Sequence, residues 1–118
     1  MPEQEISQTD LLAYEALRTL ALSHNYNKWI YELLKDYTAG RTLLEVGSGI
    51  GNMTQYFLQS SAKVIGIDTS TFFMQHLKID CPGVEAFNFD ITDEKVISLA
   101  DKKIEAVVAI NVLEHVQD

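Results

Sequence analysis

Leu44-Glu45-Val46-Gly47-Ser48-Gly49-Ile50-Gly51-Asn52 stands where an apolar run gives way to a helical pattern. The run that leads into it, Thr42 to Val46, reads as a short buried strand ending at Gly47. Asn52 to Ser60 reads as the helix that follows. Glycines at such a junction let the backbone turn sharply and let a ligand approach the main chain. Taken alone, the G-x-G-x-G run is equally compatible with a plain glycine-rich turn.

Working outward, strand and helix patterns alternate. Lys63 to Asp68 predicts a second strand, and Ser70 to Ile79 a second helix stopped by Cys81-Pro82-Gly83. Val84 to Asp90 predicts a third strand, with Val84, Ala86 and Asn88 facing opposite Glu85, Phe87 and Phe89. Thr92 is placed to N-cap a short helix, with Asp93 and Glu94 at its positive end. Ile104 to Ile110 predicts a fourth strand whose near-continuous apolar character implies burial on both faces. This alternation is the pattern of right-handed βαβ crossovers and a parallel sheet. Before residue 40 the pattern is helical. Ser7 and Asp10 form an S-x-x-D start signal for a helix over 8–22, and Ser23-His24-Asn25 breaks it. A second stripe, Trp29, Ile30, Leu33, Leu34 and Tyr37, runs to Gly40, a good C′ residue. The organisation expected is a helical segment, 1–39, and an α/β domain, 40–118.

Three acids accompany the glycine run. Glu45 lies two residues before Gly47, where a carboxylate suits a cationic ligand end better than a pyrophosphate. Asp68 ends the second strand, 19 residues after Gly49, at a spacing suited to ribose hydroxyls. Asp90 ends the third strand at the same sheet edge. Each alone reads more often as a solvated strand end. Together they converge on the crevice where open α/β sheets bind ligands.

Composition sets outer bounds. The 118 residues are one domain's worth, 47% hydrophobic and 22% charged, which is ordinary globular material. A formal charge of −8 argues against nucleic acid as a partner, because phosphate binding needs a basic patch. Cys81 is the single cysteine, so no intrachain disulfide forms, and no Cys/His cluster around it suggests a metal. The acidic N-terminus lacks the features of a signal peptide. No apolar run approaches the roughly 20 residues of a membrane span. A cytoplasmic location is expected.

Leu44 to Gly51 resembles motif I of class I S-adenosylmethionine-dependent methyltransferases. Val64-Ile65-Gly66-Ile67-Asp68 resembles their second motif, and Phe89-Asp90-Ile91-Thr92 the third. Ala106 to Val116 is similar to the fourth-strand motif of the small-molecule branch, which includes quinone-biosynthesis enzymes. Asn25-Tyr26-Asn27-Lys28-Trp29 is similar to the lead-in helix of bacterial members found beside polysaccharide-synthesis domains. Glu105 departs from the aspartate usual at the start of the fourth strand.

The resemblance implies a Rossmann-like parallel sheet with strand order 3-2-1-4 behind two N-terminal helices. It also implies S-adenosylmethionine as cofactor and S-adenosylhomocysteine as product. Gly47, Ser48, Gly49 and Gly51 would line the methionine part, supported by Glu45. Asp68 would bind the ribose hydroxyls, with Thr69 beside it. Asp90 would bind the adenine amino group, and Ile91 would pack on the ring. Asn111 would offer main-chain contacts, and Tyr26 would lean over the cofactor. For Tyr26 and Trp29, packing of a helix on the sheet is an equal reading. Glu114 and His115 form a titratable pair near the expected methyl position, the candidate base. They read more readily as the start of a surface helix, and in-line methyl transfer accelerated by positioning requires no base.

Relatives of this kind have about seven strands, so the chain is expected to be a truncated cofactor-binding fragment. Its acceptor would be an unidentified small molecule, sugar or lipid. An apolar fourth strand with an open edge invites pairing with a second copy, so a homo-oligomer is expected. Two other functions fit parts of the pattern. One is an NAD(P)-binding reductase domain, opposed by Asn52 at the last glycine position of that fingerprint and by Glu45. The other is a non-catalytic assembly module that kept the sheet and lost the chemistry.

Overall fold

The computed structural model describes residues 7–21 and 24–110. Two helices come first, α1 (Gln8–Ala21) and α2 (His24–Thr38). There follow β1 (Thr42–Val46), α3 (Thr54–Ser60), β2 (Lys63–Ile67), α4 (Thr71–Asp80) and β3 (Glu85–Phe87). A 3₁₀ helix (Glu94–Lys102) and β4 (Ala106–Ala109) complete the described chain. All neighbouring strands are parallel and the order is β3-β2-β1-β4, the Rossmann-like arrangement.

Strand alternation sorts the core into two layers. Leu43, Val64 and Val108 point to one face and meet Tyr31 of α2 and Met53 and Phe57 at α3. Met74 and Leu77 of α4, with Cys81 just after it, extend this layer toward Val84 and Ala86. Leu44, Val46, Ile65 and Ile67 point to the other face, under Leu99 of the 3₁₀ helix and beside Phe87, Phe89 and Ile91. The opposition of Val84 and Ala86 to Phe87 and Phe89 is therefore as expected. Cys81 is a buried free thiol at the end of α4. Burial, then the charges of Glu45 and Asp80, pushes its pKa up to about 11.

The helix signals act as read. The Asp10 amide donates to Ser7 Oγ at 3.0 Å, and Gly40 takes the left-handed conformation (φ +71°) just beyond α2. Boundaries differ in four places. His24 and Asn25, expected to break the helices, already belong to α2; Leu22 and Ser23 lie outside the described residues. β3 is shorter than 84–90, because the Asn88 amide turns back to donate to Asp68 O at 3.0 Å. The cap of the following helix is Asp93, whose carboxylate accepts from the Lys95 amide, and not Thr92. Thr92 instead donates to Asp90 from both its amide and its hydroxyl.

The fourth correction concerns β4. It spans only 106–109, and Val107 is 61% exposed rather than buried. Among the described residues β4 pairs only with β1. Glu105 strengthens the join to β1: its amide donates to Thr42 O, and its side chain accepts from the Thr42 amide at 3.1 Å.

Candidate functional site

The site begins where β1 ends. The Gly47 amide donates to Ile67 O at 2.8 Å, carrying the β1–β2 ladder one step beyond the strand. The chain then turns across the sheet's C-terminal rim. Gly49 makes the turn in the left-handed region (φ +58°), which side chains beyond Cβ rarely adopt. Its amide donates to Asp68 Oδ2 at 2.9 Å. Ser48 folds back over β2, and the absence of a side chain at Gly66 makes room for it: a Cβ there would stand 3.1 Å from Ser48 Oγ. That hydroxyl is buried without a hydrogen-bond partner among the described residues.

Glu45 is 4% exposed, beneath this loop. Among the described residues its only side-chain donor is Thr54 Oγ1, at the first turn of α3. Burial, with Asp68 as a smaller contributor, raises its pKa to about 7 against the lowering effect of the Thr54 bond. A carboxylate held this way gains most from a cation, which restores the stabilisation that water no longer provides.

The cation would find space beside it. A cavity of about 260 Å³ opens between the glycine loop and the two N-terminal helices. Glu45, Gly47, Ser48 and Gly49 form its floor, and Leu17, Leu20, Tyr26, Asn27 and Ile30 its roof. Two amides fix that roof. Asn52 Nδ2 donates to Leu17 O at 3.0 Å and Asn27 Nδ2 to Leu20 O at 3.2 Å, so both hold the last turns of α1. Tyr26 is half exposed at the mouth, its ring 6.2 Å from that of Trp29.

The remaining candidates separate from this group. Gly51 faces α4 and not the cavity: a Cβ there would meet Cys81 Sγ at 2.8 Å. The missing side chain leaves room there for Cys81 and Leu77. Asp68 is half-buried, and both oxygens already accept bonds, Oδ2 from Gly49 and Oδ1 from the Ser70 amide at 3.0 Å. Thr69 is exposed beside it. Asp90 is exposed, and its bonds from Thr92 hold its pKa below the usual carboxylate value. Ile91 packs with Phe89 against the β1–β2 layer. Asn111, Glu114 and His115 lie outside the described residues.

Sequence reasoning passed over Thr54, Asn27, Asn52, Leu17 and Leu20. A buried acid needs a donor, and Thr54 at the next helix start was the available one. The roof residues carry no motif; only the packing of α1 over Gly49 identifies them, with Leu17 Cδ1 3.4 Å from where a Gly49 Cβ would stand. Among the described residues no cluster of His, Cys, Asp and Glu is placed to hold a metal ion.

A parallel sheet of this order, a left-handed glycine loop after β1 and a buried acid beneath it together define a class. The chain belongs to the methyltransferase domain family of class I S-adenosylmethionine-dependent methyltransferases, whose model matches residues 44–118. Among curated relatives, it is 28% identical over 89 residues to a Mycolicibacterium smegmatis protein named "Probable S-adenosylmethionine-dependent methyltransferase". That match takes in 75% of this chain and 34% of the relative, so the chain spans about a third of the relative's length. A Methanococcus maripaludis structure assigned as an S-adenosyl-L-methionine-dependent methyltransferase superposes on 100% of this chain and 57% of its own, with TM-score 0.69 at 14% identity. Streptomyces venezuelae DesVI superposes on 91% of this chain and 44% of its own, with TM-score 0.63 at 22% identity. At these identities the two structures speak for the fold alone.

Proposed function

We propose that this chain binds S-adenosylmethionine in the cavity between the glycine loop and α1–α2, and contributes the cofactor half of a methyl transfer. The observation that carries the reading is Glu45: a buried acid with a raised pKa, opening onto a cavity with otherwise mostly apolar walls. When bound, the cofactor supplies an electrophilic methyl group on a cationic sulfur. Glu45 holds the cationic methionine end, and the backbone of Gly47, Ser48 and Gly49 lies against it. Tyr26 and the apolar roof exclude water from the same end, strengthening the Glu45 interaction. Asp68, with Thr69, takes the ribose hydroxyls by exchanging bonds it now receives from loop amides. Asp90 takes the adenine amino group, and Ile91 packs under the ring. Asn111 contacts the cofactor through its main chain, and the Glu114–His115 pair takes up the acceptor's proton.

The acceptor is a small molecule, sugar or lipid bearing a nucleophilic atom. No described helix is long and apolar enough to cross a membrane. A cytoplasmic setting goes with a single buried thiol and no intrachain disulfide. The division at residue 39 is one of role, the helical segment roofing the site and the remainder forming its floor. We also propose that copies of the chain associate.

Calorimetric titration with S-adenosylmethionine and S-adenosylhomocysteine, with NAD and NADP as controls, tests the cofactor assignment. Binding of the two sulfur nucleotides alone is expected. Binding of NAD instead, or of none of the four, would overturn it.

A further inference from the structure

Glu45 shares the sheet face of Leu43 and Val108, the face that carries α3. Its partners across the ladder are Gly66 on β2 and Val108 on β4. Neither has a side chain able to donate a hydrogen bond. A buried carboxylate flanked in this way depends on what lies over the sheet.

α3 supplies that group. Thr54 is its first residue and is 0% exposed, and its hydroxyl donates to Glu45 Oε1. A threonine in a helix commonly turns its hydroxyl back to a carbonyl of the preceding turn. This one reaches instead to a side chain nine residues earlier. The two oxygens of Glu45 therefore meet different surroundings. Oε1 is held from behind by Thr54, which is not among the residues that line the cavity. Oε2 has no donor among the described residues, and Glu45 itself lies in the cavity floor.

We propose that Thr54 is a positioning residue for the cofactor: its hydroxyl fixes Glu45 Oε1 and so presents Oε2 to the cationic methionine end. The inference rests on the reading of Glu45 given above and adds the residue through which that acid is held. A glutamate side chain has several rotatable torsions, and the bond fixes them before a ligand arrives. The same bond favours the charged form. Burial, the largest influence, and Asp68, the smallest, push Glu45 toward its neutral form, and the Thr54 bond opposes both. The other titratable groups near Glu45 are Cys81, just after α4, and Tyr26, at the cavity mouth on α2. None of these is a cation. Among the described residues Thr54 is thus the side chain that keeps the acid ionised. A neutral Glu45 would offer a cation only a dipole.

The test compares Thr54→Val, which keeps the shape and lacks the hydroxyl, with Thr54→Ser, which keeps the hydroxyl and lacks the methyl. Carbon-13 NMR of the Glu45 carboxyl, without cofactor, reads its titration midpoint. Thr54→Val should raise the midpoint by about one pH unit, and Thr54→Ser should return it close to that of the wild type. Calorimetry then reads affinity for S-adenosylmethionine. Thr54→Val should bind about tenfold more weakly than wild type at pH 6.5. At pH 8.5 the acid is largely ionised in both and only its orientation is lost, so the deficit should shrink to about two- to threefold. Thr54→Ser should recover most of the affinity at both. Should Thr54→Val fail to fold, Thr54→Ala, which also lacks the hydroxyl and overfills nothing, replaces it. An unchanged midpoint, or an equal loss of affinity at the two pH values, would overturn the proposal, as would a Thr54→Ser that behaves like Thr54→Val. A wild type that binds no S-adenosylmethionine would overturn the cofactor assignment instead, and the midpoint would still decide whether Thr54 holds the acid.

Discussion

The two halves of the candidate cofactor site are prepared to different degrees. Around the end of β1, the loop, the buried acid and the roof are in place, and Glu45 accepts from Thr54. At the ends of β2 and β3, the acids are engaged with their own chain. Asp68 clamps Gly49 and Ser70, and Asp90 closes a turn on Thr92. The first half presents an unbalanced charge that a cationic ligand would satisfy. The second must exchange existing bonds for ligand bonds, and each exchange gains little. On this account the methionine end contributes most of the affinity and the nucleoside end most of the selectivity for the base and sugar.

Gly49→Val should break the first half outright. A β-branched residue at φ +58° costs about 1–3 kcal/mol of strain. Its side chain would also press on Leu17. Cofactor affinity should fall by at least about tenfold in calorimetry, with a lower melting temperature. Asp68→Ala comes next, because it strips the acceptor from two loop amides and removes the proposed ribose partner. About a tenfold loss of affinity and a melting point lower by several degrees are expected. Affinity within about twofold of wild type would make Asp68 a loop clamp only.

Glu45→Gln sharpens the comparison through pH. The Glu45 pKa lies near 7 in the folded chain, against 4.5 for a free glutamate. Between those values the folded state keeps a proton that the unfolded state has lost. Wild-type stability should therefore fall as pH rises through that window. Glu45→Gln should lack this slope and be more stable at pH 8 by about 1–3 kcal/mol. Affinity for the cationic cofactor should show the opposite trend. It should rise through pH 7 in the wild type, as Glu45 ionises, and stay flat in the variant. Chemical denaturation and calorimetry across pH 5.5 to 8.5 check the two effects.

Asp90→Asn carries the smallest expectation. Its carboxylate is exposed and its turn can survive in the amide. A fall in affinity of about two- to fivefold, with melting unchanged, is expected. A fall as large as that of Gly49→Val would invert the proposed ranking of the two halves.

The same contrast marks what was legible in the sequence. Strand order, the glycine loop and the placement of Glu45, Asp68 and Asp90 follow from local signals: apolar runs, turn residues and acids at strand ends. Thr42–Val46 as β1 is an instance, since five residues between Arg41 and Gly47 leave little choice. What was missed depends on contacts between segments far apart in the chain. Gly51 reads like its neighbours, yet Cys81 and Leu77 stand where its side chain would be. Thr54 is an ordinary helix-start threonine until Glu45 is seen beneath it. Val107 reads as a core residue because a continuous apolar strand looks the same whether both sides are covered or one is bare. Leu17 and Leu20 fall in the 8–22 segment, whose pattern predicts a helix and leaves open what it rests on.

Amide hydrogen exchange with and without S-adenosylmethionine tests the central claim most directly, because it locates the bound cofactor in the chain. Slower exchange is predicted in residues 14–30 and 43–56, the roof and floor of the cavity, with a smaller change around residues 68–70. No protection in those segments at a saturating cofactor concentration, or protection confined to residues 84–104, would contradict it.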